Sequence, residues 1–123
     1  MRLLLSYIET LKTFFNSIIG VEMLIKRWEA ESFPNQMQFE SLLTQEGLDF
    51  QVEEHRLGES IREHRHSLTE IRILIEGELL FNISGNQIII RAGDRIEIPA
   101  NTRHFHQTHG GKEGKSLCAY RTI

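Results

Sequence analysis

The chain has 123 residues, of which 40% are hydrophobic and 25% are charged, which is typical of one soluble domain with its own core. Its net charge of −3 provides no general attraction to nucleic acid or to an anionic membrane. The single cysteine, Cys118, excludes an internal disulfide and a zinc site of several cysteines. We expect Cys118 to be a small buried residue, and this cysteine count fits a cytoplasmic protein.

The first part of the chain has the apolar spacing of an amphipathic helix. Apolar residues recur at helical intervals through residues 4–19, which predicts a helix within residues 1–22. Glu9 and Lys12 interrupt the apolar run and argue against a secretory signal or a membrane span. The helix could pack on the domain or on a partner subunit, or lie weakly on a membrane surface. Alternatively, residues 1–22 are a non-native extension, because Met23 is a second possible start.

The rest of the chain, residues 23–123, has the pattern of an all-β domain. Residues 33–39 are predicted to form a loop and residues 39–48 a short helix ended by Gly47. From there on, short β-branched and aromatic runs alternate with turn residues, which is typical of a β-sandwich or barrel. Residues 84–86, Ser-Gly-Asn, predict a hairpin turn.

Residues 63–70, EHRHSLTE, bring two histidines and a glutamate close together in the sequence. On a strand, His64 and His66 share one face with Cα atoms roughly 6.6 Å apart, so both imidazoles could reach one metal ion. On a straight strand Glu70 would lie roughly 13 Å from His66, too far to share that ion. Either Glu70 is not a ligand, or the chain bends at residues 67–69 and the next strand returns beside the first.

A second group of histidines lies in residues 103–109, RHFHQTH. His104 and His106 share a strand face, and His104, just past a loop, is the better candidate ligand. His106 is either a second inward polar group or a structural histidine whose hydrogen bonds are satisfied. His109 is expected to be solvated, and His55, on an earlier strand, to be structural or exposed.

These spacings resemble the two motifs of the cupin family. Residues 58–77, GESIREHRHSLTEIRILIEG, fill every fixed position of the first motif: Gly, five residues, His-x-His, three residues, Glu, six residues, Gly. Residues 93–108 resemble the second motif at three fixed positions: Gly93, Pro99 and His104. Asn101 and Thr108 stand where the family usually has Gly and Asn. Asn tolerates a left-handed turn better than most residues, whereas Thr108 removes a hydrogen bond of the family pattern.

The resemblance implies a jelly-roll β-barrel of two antiparallel sheets, as in small single-domain cupins with a type-2 conserved barrel. It also implies that one metal ion is held by four side chains: His64, His66, Glu70 and His104. Three imidazoles and one carboxylate suit divalent Fe, Mn, Ni, Co, Cu or Zn without distinguishing them. A six-coordinate ion would keep two positions for water or substrate.

The strand that follows Glu70 has two different faces. Its inward face carries Arg72, which would either hold an anionic substrate or pair with a structural carboxylate; Arg72 and His106 are the candidate catalytic residues. Its outward face carries an apolar stripe: Ile71, Ile73 and Ile75. Cupins commonly pair through a sheet face, so the stripe predicts a homodimer.

Three functions fit such a site. The first is an Fe- or Mn-type oxygenase acting on a small polar metabolite. The second is a redox-silent isomerase or lyase of a sugar-like molecule or keto acid, in which the ion polarises a carbonyl group. The third is a non-catalytic module that binds or senses a small ligand. Each predicts a small-molecule partner, and neither nucleic acid nor a membrane is expected.

Overall fold

A computed structural model of the chain describes residues 12–18, 21–27 and 35–122. These residues form one helix, α1 (Gln36–Gln45), and ten strands. In chain order the strands are β1 (Lys12–Ile18), β2 (Val21–Arg27), β3 (Phe50–His55), β4 (Ser60–His64), β5 (Thr69–Glu76), β6 (Glu78–Ile83), β7 (Asn86–Arg91), β8 (Arg95–Ile98), β9 (His104–His109) and β10 (Gly114–Arg121). Within the described ranges, no helix has the length and apolar character needed to cross a membrane.

The strands form two antiparallel sheets, as predicted for a jelly-roll barrel. The larger sheet has the order β1-β2-β8-β5-β10-β3 and the smaller has the order β4-β9-β6-β7. One buried apolar cluster combines strands of both sheets: Ile25, Leu74, Leu79, Phe81, Ile83, Ile90, Ile96 and Ile98. The all-β class and the two-sheet architecture are therefore confirmed.

The N-terminal segment differs from the predicted amphipathic helix. Residues 12–18, the second half of that helix, form strand β1, which pairs along its whole length with β2. β2 in turn pairs with β8, so the segment extends the larger sheet. Phe, Ile and Thr in this run favour strands, and pairing in the sheet overrides helical apolar spacing. Residues 1–11 and 19–20 lie outside the described residues, and residues 21–22 belong to β2.

Helix α1 begins earlier than its sequence predicts. Asn35 caps it: the Asn35 side chain accepts a hydrogen bond from the Gln38 N–H at 2.9 Å, and the Gln38 side chain accepts one from the Asn35 N–H at 2.9 Å. This capping box starts the helix at Gln36, so residues 36–38 are helical rather than part of a loop. Gly47 follows the helix with a φ of 78°, which confirms the predicted stop.

The helix covers the stripe that was expected to face outward. Phe39, Leu42 and Leu43 of α1 are buried in one cluster with residues of β5 and β10: Ile71, Ile73, Ile75, Leu117 and Ala119. The prediction that β5 has two different faces was right. The prediction that Ile71, Ile73 and Ile75 are exposed was wrong, because they are buried. Because the protomer's own helix covers the stripe, the stripe no longer supports a homodimer.

The turns that the sequence predicts are present. Ser84 and Gly85 join β6 to β7 with φ values of 48° and 87°, as a two-residue hairpin of the type I′ class requires. Asn101, at the position where the cupin motif usually has Gly, has a φ of 61°. An asparagine therefore accepts the left-handed conformation there, and the departure from the motif leaves the turn before β9 intact.

Candidate metal site

Four predicted donor residues meet at one end of the barrel. His64 ends β4, His66 lies in the following loop, Glu70 is the second residue of β5, and His104 begins β9. One donor atom from each lies within 4.8 Å of the donor atoms of the other three. A group this compact could hold a single metal ion.

The route by which the chain brings these residues together differs in two ways from the prediction. His66 is not on the strand with His64, since β4 ends at His64; the chain then bends at residues 67–68, where a bend was predicted. The next strand, β5, does not return beside β4 but joins the opposite sheet between β8 and β10. Glu70 therefore reaches the histidines from across the barrel, while the β4–β9 ladder places His64 directly opposite His104.

The distances within the cluster are short. Glu70 Oε1 lies 3.3 Å from His104 Nε2 and 3.4 Å from His66 Nε2. The His64 ring centroid lies 4.6 Å from that of His66 and 4.4 Å from that of His104. Glu70 and His104 are buried, whereas His64 and His66 are partly exposed. The cluster therefore has a closed inner side and an open outer side.

Backbone carbonyls fix the tautomers of two of the histidines. His64 Nδ1 lies 2.6 Å from the Arg62 carbonyl oxygen and His104 Nδ1 lies 2.8 Å from the Thr102 carbonyl oxygen. A carbonyl oxygen only accepts hydrogen bonds, so each Nδ1 carries a proton and donates it, which leaves the Nε2 lone pair free in the neutral ring. This is the usual support for a metal-binding histidine, so the residues present fit a divalent ion.

The charge on Glu70 is stabilised despite its burial. Burial alone would raise the pKa of Glu70, but the hydrogen bond from His104 and the charge of Arg72 outweigh it and lower the pKa to about 2. Burial likewise opposes protonation of His104, but its bonds to Glu70 and to the Thr102 carbonyl raise its pKa. A bound cation would replace the proton shared by this pair.

Arg72 pairs with carboxylates, one of the two roles considered for it. Its Nε donates to Glu70 Oε2 at 3.2 Å, and one terminal nitrogen donates to Glu53 Oε2 and to the Ser116 hydroxyl, each at 2.8 Å. The Arg72 side chain is only 3% exposed. By holding Oε2, Arg72 leaves Glu70 Oε1 directed at the histidines.

His106 is inward but has no satisfied hydrogen bonds. The residue is 3% exposed, and within the described part of the chain neither ring nitrogen has a hydrogen-bond partner. His106 is thus an inward polar group, one of the two roles considered for it. Burial and the nearby charge of Arg72 lower the pKa of His106 to about 3, so its ring is neutral. His55 is also buried, and its Nε2 lies 2.8 Å from the Ser116 hydroxyl, consistent with a structural role.

The remaining singled-out residues lie around these groups. His109 ends β9, and its Nδ1 lies 3.1 Å from Glu78 Oε1; its side chain is 40% exposed, so it is only partly solvated. Cys118 is buried as predicted, and burial raises the pKa of its thiol to about 11. The Thr108 hydroxyl accepts a hydrogen bond from the Gly58 N–H at 3.0 Å. This bond joins the end of the second motif to the start of the first.

Sequence reasoning missed two residues beside these groups. Tyr120 lies opposite Glu70 in the β10–β5 ladder, and its hydroxyl is 3.5 Å from His66 Nε2. Glu53 lies two residues before His55 on β3 and holds Arg72 from the opposite side to Glu70. The sequence shows that Glu53 and His55 alternate on one strand and so share a face. It does not show their partners, Arg72 and Ser116, which lie on other strands.

Comparison with known proteins agrees with this geometry. The family model for the cupin domain matches residues 52–120. A stretch of 49 residues is 41% identical to acireductone dioxygenase of Alcanivorax borkumensis, and it covers 37% of this chain and 27% of that protein. A stretch of the same length is 39% identical to acireductone dioxygenase of Methylococcus capsulatus. The chain thus matches about a quarter of the length of these curated relatives.

Solved structures resemble the whole fold. Acireductone dioxygenase from Bacillus anthracis, with a cadmium ion in its active center, has a TM-score of 0.62 at 19% identity, over 82% of this chain and 79% of that one. A predicted oxalate decarboxylase from Thermotoga maritima has a TM-score of 0.57 at 18% identity, over 94% of this chain and 96% of that one. At these identities the likeness shows a shared fold.

Proposed function

The chain belongs to the cupin domain family, and on that basis we propose that it is a divalent-metal oxygenase of the Fe or Mn type that acts on a small polar metabolite. The observation that carries the proposal is the compact set of three histidines and one glutamate, with His64 and His104 held as the tautomers a metal requires. The partial match to acireductone dioxygenases supports the choice of reaction class.

The proposed ligands of the ion are His64, His66, Glu70 and His104. A divalent ion of the Fe or Mn type would supply Lewis acidity and one-electron redox chemistry at this place. Glu70 contributes a negative charge that offsets part of the ion's charge and so favours the oxidised form. The hydrogen bond from His104 and the charge of Arg72 keep that carboxylate ionised, and the hydrogen bond from Arg72 orients it.

The other residues determine access and orientation. The Arg62 and Thr102 carbonyls hold the rings of His64 and His104 against rotation. Tyr120 packs edge-on against His66, with ring centroids 5.0 Å apart, and covers part of the cluster's open side. A substrate would approach past Tyr120 and His66, since Glu70 and His104 are buried.

The proposal includes a cytoplasmic location and a homodimeric state. The single cysteine is buried and unpaired, which supports the location because small proteins of oxidising compartments more often carry paired cysteines. The stripe on β5 that was expected to form the dimer interface is covered by α1. The homodimer is therefore proposed only because two-fold dimers are the commonest oligomers of soluble proteins.

Oxygen consumption tests the reaction class. Protein purified without oxygen is loaded with Fe(II) or Zn(II), and a panel of small polar metabolites is screened with an oxygen electrode. We expect substrate-dependent O₂ uptake with Fe(II) and none with Zn(II). Glu70→Gln should retain some metal but lose most of this turnover, whereas His109→Ala, a histidine outside the cluster, should behave as wild type.

Two results would overturn the oxygenase proposal. Equal turnover of one substrate with either metal, with or without O₂, would identify a redox-silent isomerase or lyase. Tight binding of a metabolite without turnover of any compound in the panel would identify a binding or sensing module.

A further inference from the structure

A second polar cluster, with two of its three residues buried, lies beside the metal site. It consists of Glu53 and His55 on β3 and His106 on β9, and one donor atom from each lies within 4.8 Å of the other two. None of the three belongs to the proposed metal ligands. Their separation would let a single atom at the centre contact all three by hydrogen bonds of ordinary length, about 2.8 Å.

His106 indicates that something polar belongs there. Its ring is 3% exposed and both nitrogens lack a partner among the described residues. Its ring centroid lies 5.0 Å from that of Phe81 and 5.3 Å from that of His55. Buried polar groups without hydrogen bonds are rare and unfavourable. The buried His106 ring therefore indicates that a polar atom of another molecule binds beside it. Its two ring nitrogens are the positions at which that occupant would form hydrogen bonds.

The surrounding charges select the kind of occupant. The Arg72 guanidinium contacts Glu53 at 2.8 Å and reaches His55 through the Ser116 hydroxyl. This fixed positive charge disfavours a second divalent cation. An anion is also disfavoured, because Arg72 is already matched by two carboxylates, Glu70 and Glu53. An uncharged oxygen, as in a hydroxyl group, fits both conditions.

The position of the cluster sets the length of the molecule. His104 and His106 lie two residues apart on β9 and are both buried on its inner face, so they are about 6.7 Å apart along the strand. A ligand that reaches from the metal cluster to His106 must therefore span about that distance. It would have an apolar body, because Phe81 packs against His106.

We infer that Glu53, His55 and His106 form a recognition point for an uncharged hydroxyl group of the substrate. The other end of that substrate would bind the ion. This inference rests on the proposed function, since it assumes that a bound metal ion holds the end of the substrate opposite the hydroxyl group. It makes His106 a specificity-determining residue, and the substrate class a small neutral polyoxygenated molecule.

A matched pair of probes tests the inference without knowledge of the substrate. Kojic acid and allomaltol both chelate metals through adjacent hydroxyl and ketone oxygens, and opposite these oxygens kojic acid has a hydroxymethyl group where allomaltol has a methyl group. Their affinities for the Zn(II)-loaded full chain are measured by calorimetry. We expect kojic acid to bind at least about tenfold more tightly, the effect of one buried hydrogen bond.

Variants assign that preference to His106. His106→Phe, which can pack on Phe81, should abolish the preference while keeping one metal ion per chain, and His106→Gln, which retains a donor and an acceptor, should restore part of it. His109→Phe on the same strand is the matched control and should keep the full preference. Thermal unfolding of each variant confirms that it is folded.

Each other outcome contradicts the inference. Equal affinities in the wild type would mean that water alone satisfies His106, and failure of both probes to bind would mean that the cluster is closed to ligands. Two metal ions per wild-type chain, reduced to one by His106→Phe, would mean that the occupant is a cation. Metal content separates the two claims: a chain without an ion contradicts the proposed function, whereas one ion without a hydroxyl preference contradicts only this inference.

Discussion

At the scale of single residues, Arg72 connects the two polar clusters of the barrel. It contacts Glu70 on the metal side and Glu53 and Ser116 on the other side. Together with the hydrogen bond from His104, its positive charge keeps a carboxylate as buried as Glu70 ionised. The other role considered for Arg72, holding an anionic substrate, therefore loses its basis, because the guanidinium is already engaged by two carboxylates.

Removal of Arg72 should destabilise the metal-free protein. We expect Arg72→Met to lower the free energy of unfolding by about 3 kcal/mol, because the buried Glu70 charge loses its arginine partner. The loss should be smaller in metal-loaded protein, where the ion compensates the same charge. Urea unfolding with and without metal measures both values. Equal losses in the two states would show that Glu70 does not bind the ion.

The sequence predicts which four donor residues come together but not what surrounds them. His64, His66, Glu70 and His104 follow from motif spacing, which is local along the chain. The contact of Glu53 with Arg72 joins residues 19 positions apart, and that of Tyr120 with His66 joins residues 54 positions apart. Such contacts depend on strand order and register, which local patterns do not specify.

At the scale of elements, the corner between β5 and β6 is the tightest place in the first motif. Gly77 has a φ of 79°, and a Cβ atom added there would collide with the Glu113 carbonyl oxygen and lie 2.9 Å from Gly114 Cα. Both obstacles are backbone atoms and cannot rotate away. The Gly that ends the motif is therefore required by close packing as well as by its dihedral angle.

Two glycines with nearly the same φ separate these effects. Gly58, at 78°, has no neighbouring atom within 4 Å of an added Cβ, so Gly58→Ala should cost about 1 kcal/mol of backbone strain. Gly77→Ala should cost at least about 3 kcal/mol, because strand β10 must also move. Chemical denaturation measures both losses. Similar losses of unfolding free energy in the two variants would mean that the backbone around Gly77 can shift to accommodate a Cβ atom.

Strand β1 lies at the edge of the larger sheet, and this position bears on the proposed boundary at residue 23. A chain that begins at Met23 loses β1 but keeps the residues of β2 that pair with β8, including the buried Ile25. We therefore expect it to fold and to bind metal with an affinity within about threefold of the full chain. Circular dichroism and metal titration test this, and aggregation or loss of the ion would show that β1 is essential to the barrel.

The elements show where local patterns mislead. The residues of β1 have the apolar spacing of a helix, yet they are also aromatic and β-branched and form a strand beside β2. The strands β4 and β5 are consecutive, yet they belong to opposite sheets. In both cases the sheet that accepts the strand decides the outcome, and the sheet is formed by distant parts of the chain.

At the scale of the whole molecule, α1 covers the outer face of β5 and β10 in the larger sheet. Ile73 is fully buried between β10 and the helix. We expect Ile73→Ala to lower the free energy of unfolding by about 3 kcal/mol, as cavity formation in a core does, and to leave the molecular mass in light scattering unchanged. A variant of unchanged stability whose dimer dissociates would show instead that the stripe forms an interface.

The proposed function requires one divalent ion that is held jointly by residues from both sheets. The most direct measurement is the metal content per chain, by elemental analysis, of the wild type, of His104→Ala and of His109→Ala, each purified and loaded in the same way. The account predicts about one ion per chain for the wild type and for His109→Ala, and a sharp loss for His104→Ala, because a cluster of four donors loses its buried imidazole. Full occupancy in His104→Ala would contradict it.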